Sequence, residues 1–525
     1  MSNVAITSSR RLLIGTEPSD TVQRLPMWAM CIPSLVGAAL VAIATRDDPL
    51  LSPDSITYLS AARHVRAGQG LTDFTNKPLA VFGPIYPLLL SPGGRSLVWA
   101  TLIGILSIAA ASALIASALR TRVRPSIALA GGFAFAAGEG FVRMASVVWS
   151  EAPYAAIALG TLVVLARAPL TTKTCAIGGL LAGVGFLTRY AGIGLVASGA
   201  VFVVALSWRN GRRATFQHVG AFVGTAAGIS AVWVVRNLVE TGQPLGPRFE
   251  GGAAEALSRT IRLAFIGTGH IIAGDGWSES AKARIGEVIV IALVVAIVFA
   301  LRSSRGSALD IAMAAFALTS FVVPIVARRI TANDIELRVM SPMVIPVIYF
   351  ACVVADRILI RPTIAVLATV LLGWWMYQGV AFAARFPDLA PGGAGYRPQF
   401  APRLYDAIDA LPADATILTN SPQRVWWFTH REPTLMGFTT PRPGNSHYPL
   451  DARHTLDEAC SGRAHLAWFD SLQNAGTTPQ QRRPDLAAIV DLHLETSVGG
   501  GQLYLLAPID PSTCRSGTTN GAAQG

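Results

Sequence analysis

Long apolar runs recur along this chain between residues 25 and 384. A helix rises about 1.5 Å per residue, so about twenty apolar residues cross the roughly 30 Å hydrocarbon core of a bilayer. Only helices and closed barrels satisfy their backbone hydrogen bonds there, and these runs are too long and too uniformly apolar for barrel strands. Composition agrees, because 52% of the residues are hydrophobic and 14% are charged, against roughly 25% charged in soluble domains. The sequence therefore predicts an α-helical polytopic membrane protein.

The apolar runs predict about eleven transmembrane helices within residues 25–385. The predicted spans are 25–45, 97–118, 126–145, 152–169, 174–188, 191–208, 217–235, 286–302, 308–326, 341–355 and 363–384. The first run has an alternative interpretation as a cleaved signal peptide, because Ala42-Ile43-Ala44 resembles a cleavage site. Its apolar stretch is longer than that of a typical signal peptide, which favours an uncleaved span.

Alternate loops between the predicted spans are basic. Their cations are Arg10, Arg11, Arg24, Arg120, Arg122, Arg124, Arg167, Lys173, Arg209, Arg212, Arg213, Arg302, Arg305, Arg357 and Arg361. Because cytoplasmic loops are enriched in Lys and Arg, residues 1–24 are predicted to be a cytoplasmic tail and the C-terminus to lie outside the cytoplasmic membrane. The net charge of +11 follows these loops. It forms no basic stripe on a soluble face, so nucleic-acid binding is not predicted.

Three long segments then fall on the outer side, namely 46–96, 236–285 and the residues after about 386. Residues 386–515 are more polar and predict a small extracytoplasmic α/β domain. Its predicted elements are a helix at Phe400–Leu411, short buried strands at Thr416–Thr419 and His465–Trp468, and a hairpin of Leu492–Ser497 and Gln502–Leu506. Cys460 and Cys514 can form a disulfide if this domain is extracytoplasmic. Residues 516–525 are predicted to be disordered.

Charged residues at the edge of a membrane are costly, and each one is a candidate for a functional site. Those on the predicted outer side are Asp54, Lys77, Glu151, Arg189, Arg236 and Arg338. Asp54 precedes an amphipathic pattern over Ser55–Ala67, which places it at the N-cap of an interfacial helix and on one face with Tyr58. A purely structural role remains an alternative for four of them: Asp54 as a cap, Glu151 as a partner of a helix dipole, and Arg236 and Arg338 as snorkelling cations. Arg189 interrupts an apolar stretch, which packing alone does not explain.

Taken together, these carboxylates and cations indicate glycosyl transfer from a lipid phosphate. A carboxylate removes the proton of the attacking hydroxyl, and cations stabilise the charge that grows on the departing phosphate. Arginine suits this task because its planar fork binds two phosphate oxygens. No cofactor or metal site is predicted, because the tail histidines match no common ligand spacing. A divalent ion remains compatible with the chemistry. Trp426-Trp427-Phe428 is interpreted as a buried aromatic cluster, with sugar stacking as the alternative.

An ordered set of short motifs resembles the GT-C superfamily of membrane glycosyltransferases. In the first outer loop these are Asp54-x3-Tyr58, Ala61, Gly68-Gln69-Gly70, Asn76-Lys77-Pro78 and Pro84-Ile85-Tyr86-Pro87. They continue with Ser150-Glu151, Gly183-x5-Arg189, Trp233-x2-Arg236-Asn237-x4-Gly242, Arg338-x3-Pro342, and Asn420-Ser421-Pro422 with Trp426–His430. More narrowly, the set is similar to the protein O-mannosyltransferase and aminoarabinose-transferase group, that is, glycosyltransferase family 39 and its bacterial relatives.

The resemblance implies an inverting transfer of mannose or a related sugar from a polyprenyl-phosphate donor on the outer face of the membrane. The acceptor would be a glycan, a glycolipid or a protein. Asp54 would be the catalytic base, with Glu151 beside it in the acceptor or sugar pocket. The predicted roles of the others are donor-phosphate contacts for Lys77, Arg189, Arg236 and Arg338, and pocket residues for Tyr58 and Tyr86. Leu79 stands where some relatives carry a second proline, which weakens the case for aminoarabinose.

Three alternatives remain open from the sequence. Another GT-C enzyme, such as an arabinofuranosyl or phosphatidylinositol-glycan transferase, would use the same lipid-phosphate chemistry. A transporter or flippase of lipid-linked sugars would place polar groups at the membrane midplane on broken helices, whereas this chain places them in outer loops. A receptor whose tail binds envelope glycan would need its spans only as an anchor.

Overall fold

The computed structural model describes most of the chain. The described residues are 26–167, 169–246, 255–274, 276–303, 307–330, 335–358, 362–386, 401–435, 452–469, 479–482 and 484–517. The predicted cytoplasmic tail, residues 1–24, lies outside them, as does the predicted disordered tail from residue 518 onward. The start of that tail is helical, because a 3₁₀ helix covers Pro511–Gly517.

Helices dominate the described residues up to Phe386. They are α1 (Cys31–Ala44), α2 (Pro53–Arg66), α3 (Ile85–Leu90), α4 (Leu97–Arg120), α5 (Pro125–Ala136), α6 (Glu139–Ser146), α7 (Glu151–Arg167) and α8 (Thr172–Thr188). They continue with α9 (Ile193–Ser207), α10 (Arg212–Thr241), α11 (Leu257–Ala273), α12 (Glu279–Arg302), α13 (Ala308–Ile330), α14 (Leu337–Met340), α15 (Val344–Ile358) and α16 (Pro362–Arg385).

Every predicted apolar run lies on a helix or, in one case, on a bent pair of helices. Among the described residues, 7 helices are long and apolar enough to cross a membrane, or up to 8 if the bent pair is one span. Three shorter apolar helices cover Trp28–Ala44, Glu151–Ala166 and Thr172–Thr188. The polytopic helical fold is confirmed, whereas the number of spans stays a prediction.

The bent pair replaces the single straight span predicted at 126–145. Helices α5 and α6 meet at an angle of 47° around Gly138. The break leaves the carbonyl of Ala134 without its helical partner, and the indole Nε1 of Trp375 on α16 donates to that oxygen at 2.7 Å. A side chain from a neighbouring helix thus satisfies a polar group that the bilayer could not.

The segment 236–285, predicted as a long outer loop, is largely helical. Helix α10 runs on to Thr241, and α11 occupies Leu257–Ala273. Helix α11 packs closely against α12, and Gly269 permits the approach, because a Cβ there would lie 1.8 Å from the carbonyl oxygen of Lys282. Helix α11 was not predicted, because its amphipathic pattern is too mixed to resemble a transmembrane run, and the outer position of the segment stays a prediction.

The first outer loop, 46–96, holds α2, α3 and a tight turn. Ser52, not Asp54, is the N-cap of α2: its hydroxyl accepts from the Ser55 amide at 3.2 Å, and the Ser55 hydroxyl accepts from the Ser52 amide at 3.0 Å. This capping box starts the helix at Pro53, two residues before the predicted start. Asp54 is therefore the second helical residue, with its carboxylate free of the capping role.

The tail contains a small α/β region, as predicted. Its helices are α17 (Pro402–Asp409), α18 (Pro422–Thr429), α19 (Ala452–Cys460), α20 (Pro479–Arg482) and α21 (Pro484–Ala487). Its strands are β1 (Thr416–Thr419), β2 (Pro433–Leu435), β3 (Ala464–Phe469), β4 (Val490–Val498) and β5 (Gly501–Pro508). They form one sheet in the order β2-β1-β3-β5-β4, with β1 parallel to β2 and β3 and with β5 antiparallel to β3 and β4. Cys460 and Cys514 form a disulfide that ties α19 to the C-terminal 3₁₀ helix.

The end of the bundle opposite the first outer loop is closed by a buried ion pair. Arg122, between α4 and α5, contacts Asp310 at the start of α13, with 3.0 Å from Nη2 to Oδ2. The Tyr349 hydroxyl donates to Asp310 Oδ1 at 2.8 Å, and the Asp310 side chain is fully buried. This end also carries Arg124, paired with Asp356. It is the end that the basic loops predict to be cytoplasmic.

Candidate active site

A short parallel bridge aligns the segments that carry the two candidate carboxylates. The Leu50 amide donates to the Ser146 carbonyl at 3.0 Å, and the Val148 amide donates to the Leu50 carbonyl at 3.2 Å. The bridge pairs Leu50 with Val147, and Asp54 and Glu151 follow their bridge residues at the same offset. Because both segments run in the same direction, α2 and α7 begin side by side. The two helix starts, with Asp54 on one and Glu151 on the other, therefore form one site.

Arg338 on α14 joins the two carboxylates. Its Nη2 lies 2.6 Å from Asp54 Oδ2, and its Nε lies 2.9 Å from Glu151 Oε1. Arg189, between α8 and α9, forms a second ion pair with Glu151. The structure therefore brings together Asp54, Glu151, Arg189 and Arg338, which the sequence predicted as one set. Two carboxylates face two guanidinium groups, so the cluster is balanced in charge.

Exposure separates the two carboxylates. The Asp54 side chain is 29% exposed and that of Glu151 is 1% exposed. Glu151 Oε2 is buried and has no hydrogen-bond partner among the described residues. A buried carboxylate between two arginines is held in its charged form and orients them. Of the two carboxylates, Asp54 is the one exposed at the surface.

An aromatic platform supports Arg338. Its guanidinium carbon lies 4.2 Å from the centre of the Trp149 ring, which is cation–π distance. The indole Nε1 of Trp149 donates to the Ser52 hydroxyl at 2.7 Å. The residue that caps α2 thus also fixes the ring beneath Arg338. Sequence reasoning gave Trp149 no role, although its position directly before Ser150-Glu151 was a usable signal.

Tyr58 and Tyr86 lie behind the charged cluster, and both are buried. Their ring centres are 4.9 Å apart in an edge-to-face arrangement, and the Tyr58 hydroxyl is 3.3 Å from that of Ser150. Burial, followed by the charges of Asp54 and Glu151, raises the pKa of Tyr58, so it stays a neutral phenol. Their predicted role in a substrate pocket stays a prediction, because both rings pack inside the protein.

Lys77 lies outside the cluster, at a tight turn. Asp73 Oδ1 accepts hydrogen bonds from the Thr75 amide at 2.8 Å and from the Lys77 amide at 3.3 Å. Asn76 has the left-handed φ of 58° that such a turn requires and that asparagine tolerates. Lys77 is exposed, and its ammonium group has no hydrogen-bond or ion-pair partner among the described residues. An uncompensated cation on a built turn is suited to an anionic ligand.

Arg236 faces the first outer loop from α10 and does not join the charged cluster. Its guanidinium carbon lies 4.5 Å from the Trp233 ring centre. It donates to the carbonyl of Leu79 and, at 3.1 Å, to that of Leu71. These contacts occupy the guanidinium with backbone that flanks Lys77. The structure thus places Arg236 as a support of the loop, and a phosphate contact for it stays a prediction.

Tyr190 and Asn237 complete this support, which sequence reasoning missed. The Tyr190 hydroxyl donates to the Ala80 carbonyl at 2.7 Å. The same hydroxyl accepts from Trp233 Nε1 at 2.9 Å and from Asn237 Nδ2 at 3.0 Å. Asn237 is fully buried. The spacing Trp233-x2-Arg236-Asn237, which places all three on one face of a helix, was the available signal.

Among the described residues, no group of three or more His, Cys, Asp or Glu side chains converges as metal ligands do. Asp54 and Glu151 are the two acids of the site, and one oxygen of each, Asp54 Oδ2 and Glu151 Oε1, contacts arginine nitrogens.

Comparisons with known proteins give a fold. No protein-family model and no curated protein matches the sequence. ArnT from Cupriavidus metallidurans bound to undecaprenyl phosphate matches with a TM-score of 0.61 and 13% identity, over 90% of this chain and 97% of that one. AglB from Archaeoglobus fulgidus, an archaeal oligosaccharyltransferase in complex with an inhibitory peptide and a dolichol-phosphate, matches with a TM-score of 0.52 and 12% identity, over 92% and 74%. Both have the fold of the GT-C superfamily.

Proposed function

Because this chain has the fold of the GT-C membrane glycosyltransferases, we propose that it transfers a sugar from a polyprenyl-phosphate donor to an acceptor hydroxyl. The observation that carries the proposal is the ion pair in which Arg338 links the accessible Asp54 to the buried Glu151. The solved relatives support the donor class, since ArnT is bound to undecaprenyl phosphate and AglB to a dolichol-phosphate.

In the proposed step, the acceptor oxygen forms a bond to the anomeric carbon on the side opposite the phosphate. The bond from that carbon to the phosphate oxygen breaks, and its electron pair leaves with the lipid phosphate. Asp54 accepts the proton of the attacking hydroxyl, which a general base does with a gain of about 10²–10⁴ in rate. Attack from the opposite side inverts the anomeric configuration.

The cations have separate tasks in this step. Lys77, whose ammonium group has no partner among the described residues, binds the donor phosphate. Arg338 has two partners in this step. When the donor is present, its phosphate binds part of the Arg338 guanidinium. This weakens the 2.6 Å contact with Asp54 and frees that carboxylate to act as the base. Glu151 holds both Arg338 and Arg189, so the guanidinium groups remain oriented while charge moves to the phosphate.

The finer parts of the proposal are the sugar, the acceptor and the orientation. Mannose or a related sugar follows from the motif resemblance to protein O-mannosyltransferases, and the acceptor is a glycan, a glycolipid or a protein. The protein lies in the cytoplasmic membrane with its N-terminus inside and its tail domain outside. The basic loops at the end opposite Asp54 support this orientation. So does the Cys460–Cys514 disulfide, because disulfides persist outside the cytoplasm.

The test uses membranes that contain the full chain and a panel of radiolabelled polyprenyl-phosphate sugars. Wild type should move label from one of these lipids to a new product. Asp54→Asn, which keeps the shape and removes the base, should reduce transfer by about 10² or more. Asp47→Asn is the matched control, because Asp47 lies in the same loop and its side chain is 65% exposed.

Two outcomes contradict the proposal. If label never moves, or moves equally with both variants, Asp54 is not the base of a transferase. If an intact lipid-linked sugar crosses the vesicle membrane without being cleaved, the chain is a transporter.

A further inference from the structure

The tail domain packs on the loop that carries the candidate site. Helix α18 of the tail inserts Trp426 into an apolar cluster formed with α2, and Trp426 is buried there. The same cluster contains Ile56 and Leu59 of α2 and both Tyr58 and Tyr86. Of the predicted aromatic cluster, Trp426 is buried between the two domains and Trp427 is partly buried beside it, whereas Phe428 packs against Tyr405 within the tail.

Arg95 fastens this contact from the membrane domain. Its guanidinium carbon lies 5.0 Å from the Trp426 ring centre and 4.5 Å from that of Trp427. Its Nη2 donates to the Trp427 carbonyl at 2.5 Å, and its Nη1 lies 2.8 Å from His430 Nδ1. The guanidinium carbon of Arg63 on α2 lies 5.7 Å from the centre of the same Trp426 ring. A planar cation at cation–π distance from two indoles and hydrogen-bonded to the backbone carbonyl of one of them is a specific interdomain contact.

A second contact reaches the turn of Lys77. Asn76 Nδ2 donates to Glu432 Oε1 of the tail domain at 2.5 Å. Asn76 is the left-handed residue of that turn and directly precedes Lys77. Glu432 is itself held in place, because the neighbouring Arg431 donates to the carbonyls of Ile408 and Leu411 at 2.9 and 2.8 Å.

The two contacts hold the two pieces of the first outer loop that carry Asp54 and Lys77. A helix moves as a unit, so a shift at the end of α2 near Arg63 and His64 displaces Asp54 at its beginning. We infer that the tail domain positions both groups, with Trp426 and Arg95 acting on α2 and Glu432 acting on the Lys77 turn. The inference rests on the proposed function for what Asp54 and Lys77 do, but the placement of α2 and of the turn can be measured without it.

The first experiment measures amide hydrogen exchange in the full-length protein, with no substrate present. In Trp426→Ala and Arg95→Ala, the amides of 54–66 should exchange at least about 10-fold faster than in wild type, because an interdomain contact is lost. Strands β1, β3 and β5 should keep their protection in Arg95→Ala, since Arg95 lies outside the tail domain. Arg463→Ala is the matched control: it removes only the exposed pair with Asp414 and should change neither region.

Unchanged exchange in 54–66 for Arg95→Ala, with the tail undisturbed, would overturn the inference whatever the protein's activity. Hydrogen exchange is measured without substrate, so a failure of the proposed transfer reaction would not change it. The result therefore tests the positioning role of the tail domain separately from the proposed function. Trp426→Phe should restore most of the protection, since it retains an aromatic ring in the same cluster. If Trp426→Ala also unfolds the tail sheet, Arg95→Ala decides the question.

The second experiment measures transfer kinetics with the donor sugar that the panel of polyprenyl-phosphate sugars identifies. Displacing the base affects the chemical step, so Arg95→Ala should lower kcat by about 10-fold or more while KM for the donor changes little. Loosening the Lys77 turn affects donor binding, so Glu432→Ala should raise KM about 2- to 10-fold with kcat near that of wild type. Glu432→Gln keeps an acceptor oxygen and should behave as wild type. Equal effects of Ala and Gln at this position would refute the assignment of Glu432.

Discussion

At the scale of single residues, the two carboxylates of the candidate site differ in how far each side chain is exposed. Asp54 and Glu151 contact the same guanidinium, yet only Asp54 opens to the surface. Composition or spacing cannot rank two carboxylates in this way. Their surroundings do so, because a carboxylate enclosed by two arginines loses its freedom to exchange protons with a substrate. The proposed division into a reacting acid and an orienting acid therefore rests on the surroundings of each carboxylate.

The orienting task of Glu151 leads to a prediction. Glu151→Gln keeps the volume and leaves Arg189 and Arg338 without their shared buried partner. Removing one partner of a buried pair costs about 3–5 kcal/mol, so the melting temperature should fall clearly and transfer should fall with it. Glu139→Gln is the matched control, because Glu139 forms a partly exposed pair with Arg143. Thermal unfolding in detergent measures the difference, and equal stability of both variants would exclude the orienting role.

At the scale of elements, the sequence located the helices and misjudged how they begin, bend and connect. The start of α2 was wrong because Ser52 and Ser55 cap each other, which left Asp54 free for the site. The bend at Gly138 was missed because the two halves together are apolar enough for one span, although α6 carries Glu139 and Arg143. Helix α11 was missed because its pattern is amphipathic and not uniformly apolar. Two of these features, the bend and α11, have stabilising partners on other elements, namely Trp375 on α16 and the backbone of α12.

The α18 contact supplies a prediction about pH. His430 accepts a hydrogen bond from Arg95 only in its neutral form, and burial, followed by Arg95, lowers its pKa. The charged groups that face it are Arg95, Arg63 and Asp409. A histidine whose pKa is lowered on docking binds protons more readily when undocked, so docking is strongest above the ordinary pKa of about 6.5 and weakens as pH falls.

Hydrogen exchange in 54–66, corrected for the intrinsic effect of pH, should therefore rise between pH 7.5 and pH 5. His430→Gln keeps a neutral acceptor and should remove this dependence. His493→Gln is the control, because His493 is exposed on β4. A pH dependence that survives in His430→Gln would assign the titration to another group, such as Asp409, whose pKa is raised by burial.

At the scale of the whole molecule, the two ends of the bundle have different chemistry. The end that carries the first outer loop presents the charged cluster, the Lys77 turn and the docked tail domain. The opposite end presents basic loops and a buried ion pair between Arg122 and Asp310. That pair joins the α4–α5 connection to α13, so it fixes distant parts of the chain without approaching the site.

This separation predicts different effects for substitutions at the two ends. Asp310→Asn should lower thermal stability, because Arg122 would lose its buried partner at a cost of about 3–5 kcal/mol. The folded fraction should retain its KM for the donor, since the pair lies at the other end of the bundle. Transfer assays normalised to folded protein, beside thermal unfolding, measure both quantities. A changed KM with unchanged stability would show that the pair communicates with the site.

The sequence alone determined the membrane-embedded helical fold and the set of candidate charged residues. Both are local properties: a run of about twenty apolar residues spans a bilayer wherever it occurs, and a charge beside such a run is costly wherever it stands. The α/β character of the tail was also predictable, because β1 and β3 are short, buried runs of mainly apolar residues.

Only the tertiary structure decided which partners these charged residues contact. Arg338 and Asp54 are far apart in the chain, and their contact exists because the Leu50–Val147 bridge aligns α2 with α7 and α14 packs beside them. Arg236 looked equivalent to Arg338 in the sequence, yet it holds backbone carbonyls of the loop. The sequence can say that a cation is present at the membrane edge. Which partner it meets depends on packing between elements, and that is decided by the fold as a whole.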